Sequence, residues 1–246
     1  MIARCRAAVN KNLLPVRCRR LLVPLIATLA ACLILLPPGI NAREEQPEGA
    51  VGFYTENGET HWLIPGQGVD IDVGGYSPSE LEALHPMPTE AEKAIVHQVP
   101  PCPVVIDGIT YKPEEISLFD GIRLRFVYGY DGILYAFTTA EGLERFLEEQ
   151  TVAREADPLL SVFFKDWLFM GDAFTLSPGC GLPVLSQIGY NDSVSSAWAS
   201  ELCSCAVLCE DDYYLGDAFV MLPGSQHQAL SLEGWNDRAS SAYVYG

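Results

Sequence analysis

Basic residues are scarce once the first twenty positions are passed. Six of the fifteen lysines and arginines (Arg4, Arg6, Lys11, Arg17, Arg19, Arg20) lie there, which leaves nine against 32 acidic residues after position 42 and a formal charge of −23. A body of that charge repels nucleic acid and anionic membranes and attracts cations, with solubility as the plainer use of the same charge. Histidine is scarce too, at four in 246 residues. His61, His85, His97 and Cys102 stand far apart without metal-ligand spacing and read as surface or core positions. No nucleophile elbow, phosphate loop or zinc-protease helix occurs, so no enzyme class is expected. Apolar residues are not missing: 49% hydrophobic content with 10% aromatics excludes general disorder.

A long apolar run is missing as well. Residues 1 to 20 are basic, Leu21 to Leu36 is an uncharged run of sixteen, and Pro37-Pro38-Gly39 leads to Ile40-Asn41-Ala42 ahead of Arg43-Glu44-Glu45. That order is an export signal, and the run falls short of the roughly 20 residues of a spanning helix. Residues 1–42 are therefore expected to be a signal peptide or a membrane anchor, and the protein to be secreted or held at the cell surface. Leu29-Ala30-Ala31-Cys32 leaves a lipoprotein as a further alternative, and Arg19-Arg20 lacks the flanks of a twin-arginine signal. Contact with a membrane is expected only through this segment. Cleavage after Ala42 would leave Cys102, Cys180, Cys203, Cys205 and Cys209, most of which should pair as disulfides in an oxidising compartment. Cys203-Ser204-Cys205 with Cys209 lacks a fourth zinc ligand.

Residues 43–157 read as a small α+β module. Hairpins are expected at Val51 to Ile64 around Asn57-Gly58, at Val104 to Tyr111 around Asp107-Gly108, and at Ile122 to Phe137 around Asp131-Gly132. Short helices open at Pro78 and Pro88, and a third runs from about Ala140 to Glu149 behind a capping box of Thr138 and Glu141. Val69-Asp70-Ile71-Asp72-Val73 alternates, with both carboxylates on one face, as a solvated face or a weak cation site. Nothing in the module names its role.

Residues 158–246 carry one unit twice at a constant offset of 45, without a gap. Gly171-Asp172-Ala173-Phe174 matches Gly216-Asp217-Ala218-Phe219, Pro178-Gly179 matches Pro223-Gly224, and Asn191-Asp192-Ser193-Val194-Ser195-Ser196 matches Asn236-Asp237-Arg238-Ala239-Ser240-Ser241. Each unit reads as four short strands with one long return connection, a Greek key, over about 160–200 and 205–245. Two such units suggest an all-β, two-sheet sandwich with pseudo-twofold symmetry. Asn-Asp followed by Ser-Ser can be turn chemistry alone. The same stretch supplies carboxylate, hydroxyl and carbonyl oxygens, the donors a calcium ion takes, and it does so twice at equivalent positions.

On these residues, 160–246 resembles a bacterial βγ-crystallin domain, whose motif Asn/Asp-Asn/Asp-x-x-Ser/Thr-Ser occurs once per Greek key. The second hallmark, an aromatic hairpin ending in glycine, is matched by Phe164 to Gly171 and by Cys209 to Gly216. The resemblance implies two calcium ions between the paired motifs. It groups Asp192, Ser193 and Ser195 in one cluster and Asp237, Arg238 and Ser240 in the other, with Glu210 and Lys165 giving hairpin carbonyls. Lys165 stands where glutamate is common and Cys209 replaces an aromatic, so a site partnered by Lys165 is expected to be the weaker. Asn191 and Asn236 are expected to fix the turns. The function implied is an exported calcium-binding protein, with affinity of about 10⁻⁴ to 10⁻³ M or tighter. The alternative is a secreted peptidase inhibitor, and a secreted protease or cell-surface component is the partner to consider besides calcium.

Overall fold

The computed structural model describes residues 46–150 and 160–246, so the export segment at 1–42 lies outside the described residues. The chain begins with the hairpin β1 (Gly52–Glu56) and β2 (Glu59–Leu63), turned by Asn57 and Gly58 in left-handed backbone. Helices α1 (Pro78–Leu84) and α2 (Thr89–Lys93) follow. The first is closed by a capping box between Ser77 and Glu80. Next come β3 (Val104–Ile106), β4 (Ile109–Tyr111), β5 (Arg125–Tyr128), β6 (Leu134–Phe137) and α3 (Ala140–Gln150). The cap of α3 sits one residue later than the sequence suggests. Thr139 Oγ1 accepts from Gly142 N–H, while Thr138 Oγ1 donates to Asp107 Oδ2 at 2.6 Å and ties the helix start to the β3–β4 turn.

The doubled region forms two Greek keys: β7 (Ser161–Asp166), β8 (Met170–Leu176), β9 (Cys180–Leu182) and β10 (Ser196–Trp198), then β11 (Cys205–Cys209), β12 (Ala218–Met221), β13 (Gln226–His227) and β14 (Ser241–Tyr245). Each key lends its third strand to the other. β9 pairs with β14 and β13 pairs with β10, so neither key closes a sheet alone. Between the sheets lie Phe163 stacked on Phe174 at 4.5 Å, Tyr190 edge-on to Phe174, and Phe219 against Trp235 at 5.5 Å. Those rings are buried, and each contributes on the order of 1.5–3 kcal/mol of hydrophobic burial.

The preceding segment does not stand beside this sandwich as a separate layer. β1 pairs antiparallel with β8, Tyr54 opposite Phe174, and β5 pairs parallel with β12, Phe126 opposite Phe219. The sheets therefore run β13-β10-β7-β8-β1-β2 and β4-β3-β6-β5-β12-β11-β14-β9. β8 and β12 are equivalent strands of the two keys, and strands from residues 46–150 cover the sandwich edge at each of them, while β13 and β9 remain the outer strands at the opposite edges. Close packing enforces the first junction: a Cβ on Gly52 would come within 2.0 Å of Thr175 O. Leu63, Val104, Ile116 and Leu134 share one core with Phe163, Phe174 and Phe219. Helix α1 is held by Arg125, whose Nε and Nη2 each donate to the Glu82 carboxylate at 2.6 Å. The 69–73 stretch makes a single bridge, Asp72 to Gly181, along β9.

The disulfides expected from the sequence are not formed. Cys180, Cys203, Cys205 and Cys209 are free and buried, and Cys102 Sγ lies 3.4 Å from the Tyr128 hydroxyl. Geometry explains part of this. Cys102, Cys180 and Cys203 face one apolar core, while Cys205 and Cys209 face the other. The latter two are four residues apart on one strand, about 13 Å by the rise of a strand, beyond the Cα separation a disulfide allows. Burial raises the thiol of Cys203 to about 12 and that of Cys209 to about 11, so both are held as inert hydrophobes.

Candidate metal centre

The two Asn-Asp turns meet across the pseudo-twofold axis. Asp192 N–H donates to Ala239 O at 2.9 Å, and Asp237 N–H donates to Val194 O at 3.1 Å. Both aspartates sit in left-handed backbone, φ 48° and 54°, the conformation this residue type tolerates better than most. The neighbouring asparagines point inward to them: Asn191 Nδ2 donates to Asp192 Oδ2 at 2.7 Å, and Asn236 Nδ2 donates to Asp237 Oδ2. Each asparagine thereby orients a carboxylate.

The structure joins one hydroxyl to the aspartate of the other motif. Ser195 Oγ donates to Asp237 Oδ1 at 3.2 Å, so the first hydroxyl of motif one joins the aspartate of motif two. The grouping implied by the resemblance placed Ser195 with Asp192 and Ser240 with Asp237. The contact follows from the backbone. Leu185 N–H bonds Ser240 O and Leu230 N–H bonds Ser195 O, which anchors each serine against the other key's return connection. Ser195 N–H also bonds Phe164 O, and Ser240 N–H bonds Cys209 O. Lys165 is therefore the hairpin residue next to the Ser195 and Asp237 side, and Glu210 is the one next to Ser240. Burial, then the charge of Asp212, raises the carboxyl of Asp211, on the second hairpin, above its ordinary range.

The last serine of each motif has a separate task. Ser196 Oγ donates to Asp166 O at 2.6 Å and accepts from Phe169 N–H at 3.0 Å. Ser241 repeats this with Asp211 O at 2.7 Å and Tyr214 N–H at 3.0 Å. The hairpins they brace hold Leu168, Phe169, Tyr213 and Tyr214 at φ between 56° and 63°, a conformation costing on the order of 1 kcal/mol per residue. The closing glycines belong to the same device. A Cβ on Gly171 would meet Asp166 Oδ2 at 2.4 Å, and one on Gly216 would meet Asp211 Oδ2 at 2.9 Å.

Lys165 and Arg238 turn their charges onto aromatic faces. Lys165 Nζ lies 4.2 Å from the Tyr190 ring centre, and the Arg238 guanidinium lies 4.3 Å from that of Trp235, the repeat equivalent of Tyr190. Arg238 also donates Nε to Glu210 Oε1 at 3.0 Å and Nη1 to Gly234 O at 2.8 Å. Glu210 and Arg238 thus neutralise one another and leave their backbone carbonyls out of the ion pair. Ser193 Oγ is buried without a partner.

Among the described residues no group of three or more His, Cys, Asp or Glu side chains could hold a metal. An ion at these turns would rest on a single carboxylate, Asp192 or Asp237, completed by hydroxyl and carbonyl oxygens. That all-oxygen set fits a hard cation of calcium's kind, and the lone carboxylate per turn sets a modest charge.

Sequence reasoning missed the polar residues that bind the preceding segment to the sandwich. Asp172 Oδ2 accepts Asn57 N–H at 3.1 Å, and its repeat equivalent Asp217 accepts Leu124 N–H at 2.8 Å. His97, read from the sequence as an isolated surface or core position, lies between Asp120 and Asp217 at 3.2 Å from each. The only signal was the repeated Gly-Asp-Ala-Phe itself, since no local pattern points from His97 to a residue 120 positions away.

No protein-family model and no curated protein matches the chain. Among solved structures the chain is similar to a βγ-crystallin domain described under the evolution of the eye-lens fold, at 24% identity and a TM-score of 0.33 over 38% of this chain and 92% of that one. It is similar to a βγ-crystallin from Ciona intestinalis at 24% identity and a TM-score of 0.31, covering 35% and 98%. A βγ-crystallin domain from Clostridium beijerinckii matches at 21% identity and a TM-score of 0.29, covering 35% and 97%. The chain is similar to these βγ-crystallin domains over about a third of its length. The strands at 46–150 extend the two-key sandwich at its equivalent strands β8 and β12.

Proposed function

We propose that this is an exported calcium-binding protein of the βγ-crystallin type, in which two ions at the paired turns fasten the Greek keys to one another. The observation that carries the reading is the crossing of the motifs: Ser195 of one motif meets Asp237 of the other, and each aspartate N–H bonds a carbonyl of the opposite turn. A cation shared at such a crossing binds the folded chain and not the unfolded one, so it raises stability by mass action, by about 2.7 kcal/mol at a hundred times its dissociation constant. The acidic body after position 42 raises the local cation concentration, and the basic then apolar N-terminus supports export.

Calorimetric titration of the mature chain with calcium tests the proposal, with the melting temperature followed in parallel. The expected result is heat on addition, a rise in melting temperature, and loss of both in a double Asp192→Ala, Asp237→Ala variant that still folds. Equal melting with calcium and with chelator would sink it. The mature chain is the right material, because the sandwich shares its core with residues 46–150.

A further inference from the structure

At the edge strand β13 (Gln226–His227), three polar side chains form a chain of hydrogen bonds: Ser225 just before the strand, His227 on it, and Glu233 at the end of the helical turn Leu230–Glu233. Ser225 Oγ lies 3.0 Å from His227 Nε2, and His227 Nδ1 lies 2.7 Å from Glu233 Oε2. In the tautomer whose Nδ1–H donates to the Glu233 carboxylate, Nε2 is the acceptor for the serine hydroxyl. The order is hydroxyl, imidazole, carboxylate, as a serine nucleophile requires. His227 is fixed on its other side by packing edge-on to Phe219 at 5.2 Å. Its side chain is 3% exposed and that of Glu233 13%, whereas Ser225 is half-buried behind the Pro223-Gly224 turn.

The repeat provides an independent comparison. The equivalents of Ser225, His227 and Glu233, 45 positions earlier, are Cys180, Leu182 and Ile188, all buried in the apolar core. The fold is therefore satisfied by three apolar residues at these places, and in the second key all three are polar and connected. Burying such groups brings no hydrophobic gain and costs desolvation, so packing does not account for the trio.

We infer that Ser225 is an activated nucleophile, with His227 as its general base and Glu233 as a positioning residue, able to take an acyl group from a small activated ester. Ser225 Oγ attacks the ester carbonyl and forms the new carbon–oxygen bond while its proton passes to His227 Nε2. The bond to the leaving oxygen breaks, and the imidazolium returns the proton to it, so an alcohol or phenol departs and an acyl-serine remains. No redox partner enters the balance.

The test treats the mature chain with p-nitrophenyl acetate and, separately, with a fluorophosphonate, then maps adducts by peptide mass. The expected result is one adduct per chain, on Ser225, absent in Ser225→Ala. Glu233→Gln should slow its formation at least tenfold and Glu233→Asp should restore most of the rate, with melting unchanged in both. His227→Gln should slow it about a hundredfold or more, the usual scale of general-base assistance. Absence of a Ser225 adduct on the wild-type chain overturns the inference without reference to any variant. A Ser225 adduct formed at the wild-type rate in folded Glu233→Gln and His227→Gln overturns it as well, since it would mark only an accessible hydroxyl.

Discussion

The two Greek keys share one backbone plan and differ in what their equivalent polar residues hold. In the first key Asp172 reaches a surface turn and accepts one N–H from Asn57. In the second, Asp217 is 1% exposed and accepts Leu124 N–H while facing the His97 ring, itself buried. One aspartate trims a hairpin turn, and the other fixes the start of the strand that extends the second sheet. The turns differ in the same sense. Beside motif two, Glu210 and Arg238 form a closed pair over Trp235, whereas at the corresponding places of the first key stand Lys165, over Tyr190, and Ser193, without a partner. Duplication preserved the geometry and left the charge free to diverge.

The widest gap between the keys should appear in stability. Asp217→Ala removes a buried acceptor and leaves His97 and Leu124 N–H short of a partner, which should cost about 3–5 kcal/mol. Asp172→Ala gives up one hydrogen bond near the surface, about 0.5–1.5 kcal/mol. Urea unfolding of the two variants checks the ratio, and equal losses would erase the distinction drawn between the edges.

Calcium should divide the turns next. The Ser195 and Asp237 side lies by Lys165, while the Asp192 side lies by the Glu210–Arg238 pair, whose charges cancel. Two unequal sites are expected, and Asp192→Ala should remove the tighter. Lys165→Glu should tighten the weaker by about fivefold, roughly 1 kcal/mol of charge interaction near a protein surface. A titration in which Lys165→Glu changes neither constant would separate the lysine from the ion.

Most of the local structure was legible in the sequence, because it is written in local chemistry. Asn57-Gly58, Asp107-Gly108 and Asp131-Gly132 turn the three hairpins expected of them, each with positive φ at its glycine. The offset of 45 likewise gave both keys. What could not be read was long-range pairing: β5 meets β12 in parallel register, with no turn between them to announce it. The contact of Ser195 with Asp237 was hidden for the same reason, as it depends on how two distant return connections cross. The cysteines were read through their compartment, and compartment says nothing about which core face each thiol occupies.

pH should act where the second key meets residues 46–150. Burial works against a charged His97, but the hydrogen bonds and charges of Asp217 and then Asp120 outweigh it and hold the imidazole above its ordinary value of 6.5. The folded chain then keeps a proton that the unfolded chain has released. Its contribution is complete below pH 6.5 and fades as the pH climbs through the folded value. Asp120 acts at the other end: the His97 N–H lowers its carboxyl below the ordinary 3.8, so its contribution is present above that pH and lost as the pH falls through the lowered value. Urea midpoints should be lower at pH 8.5 than at pH 5.5, and His97→Gln should flatten the difference. An unchanged slope in that variant would assign the dependence elsewhere.

The smallest effect is expected at Ser193, and its smallness is informative. In this position motif two carries Arg238, tied by its side chain to Glu210, while motif one carries a hydroxyl buried without a partner. Removing an unsatisfied buried hydroxyl gives up no hydrogen bond and relieves its desolvation, so Ser193→Ala should change stability by less than about 0.5 kcal/mol or raise it slightly. If the position takes part in ion binding through its carbonyl alone, the alanine variant should also keep the calcium affinity of the wild type. Arg238→Ala sets the contrast, since it opens the pair with Glu210 and uncovers Trp235, and should cost about 1–2 kcal/mol. A loss at Ser193→Ala as large as that at Arg238→Ala would mean that the hydroxyl has found a partner, and that the two turns are more alike in their side chains than their geometry suggests.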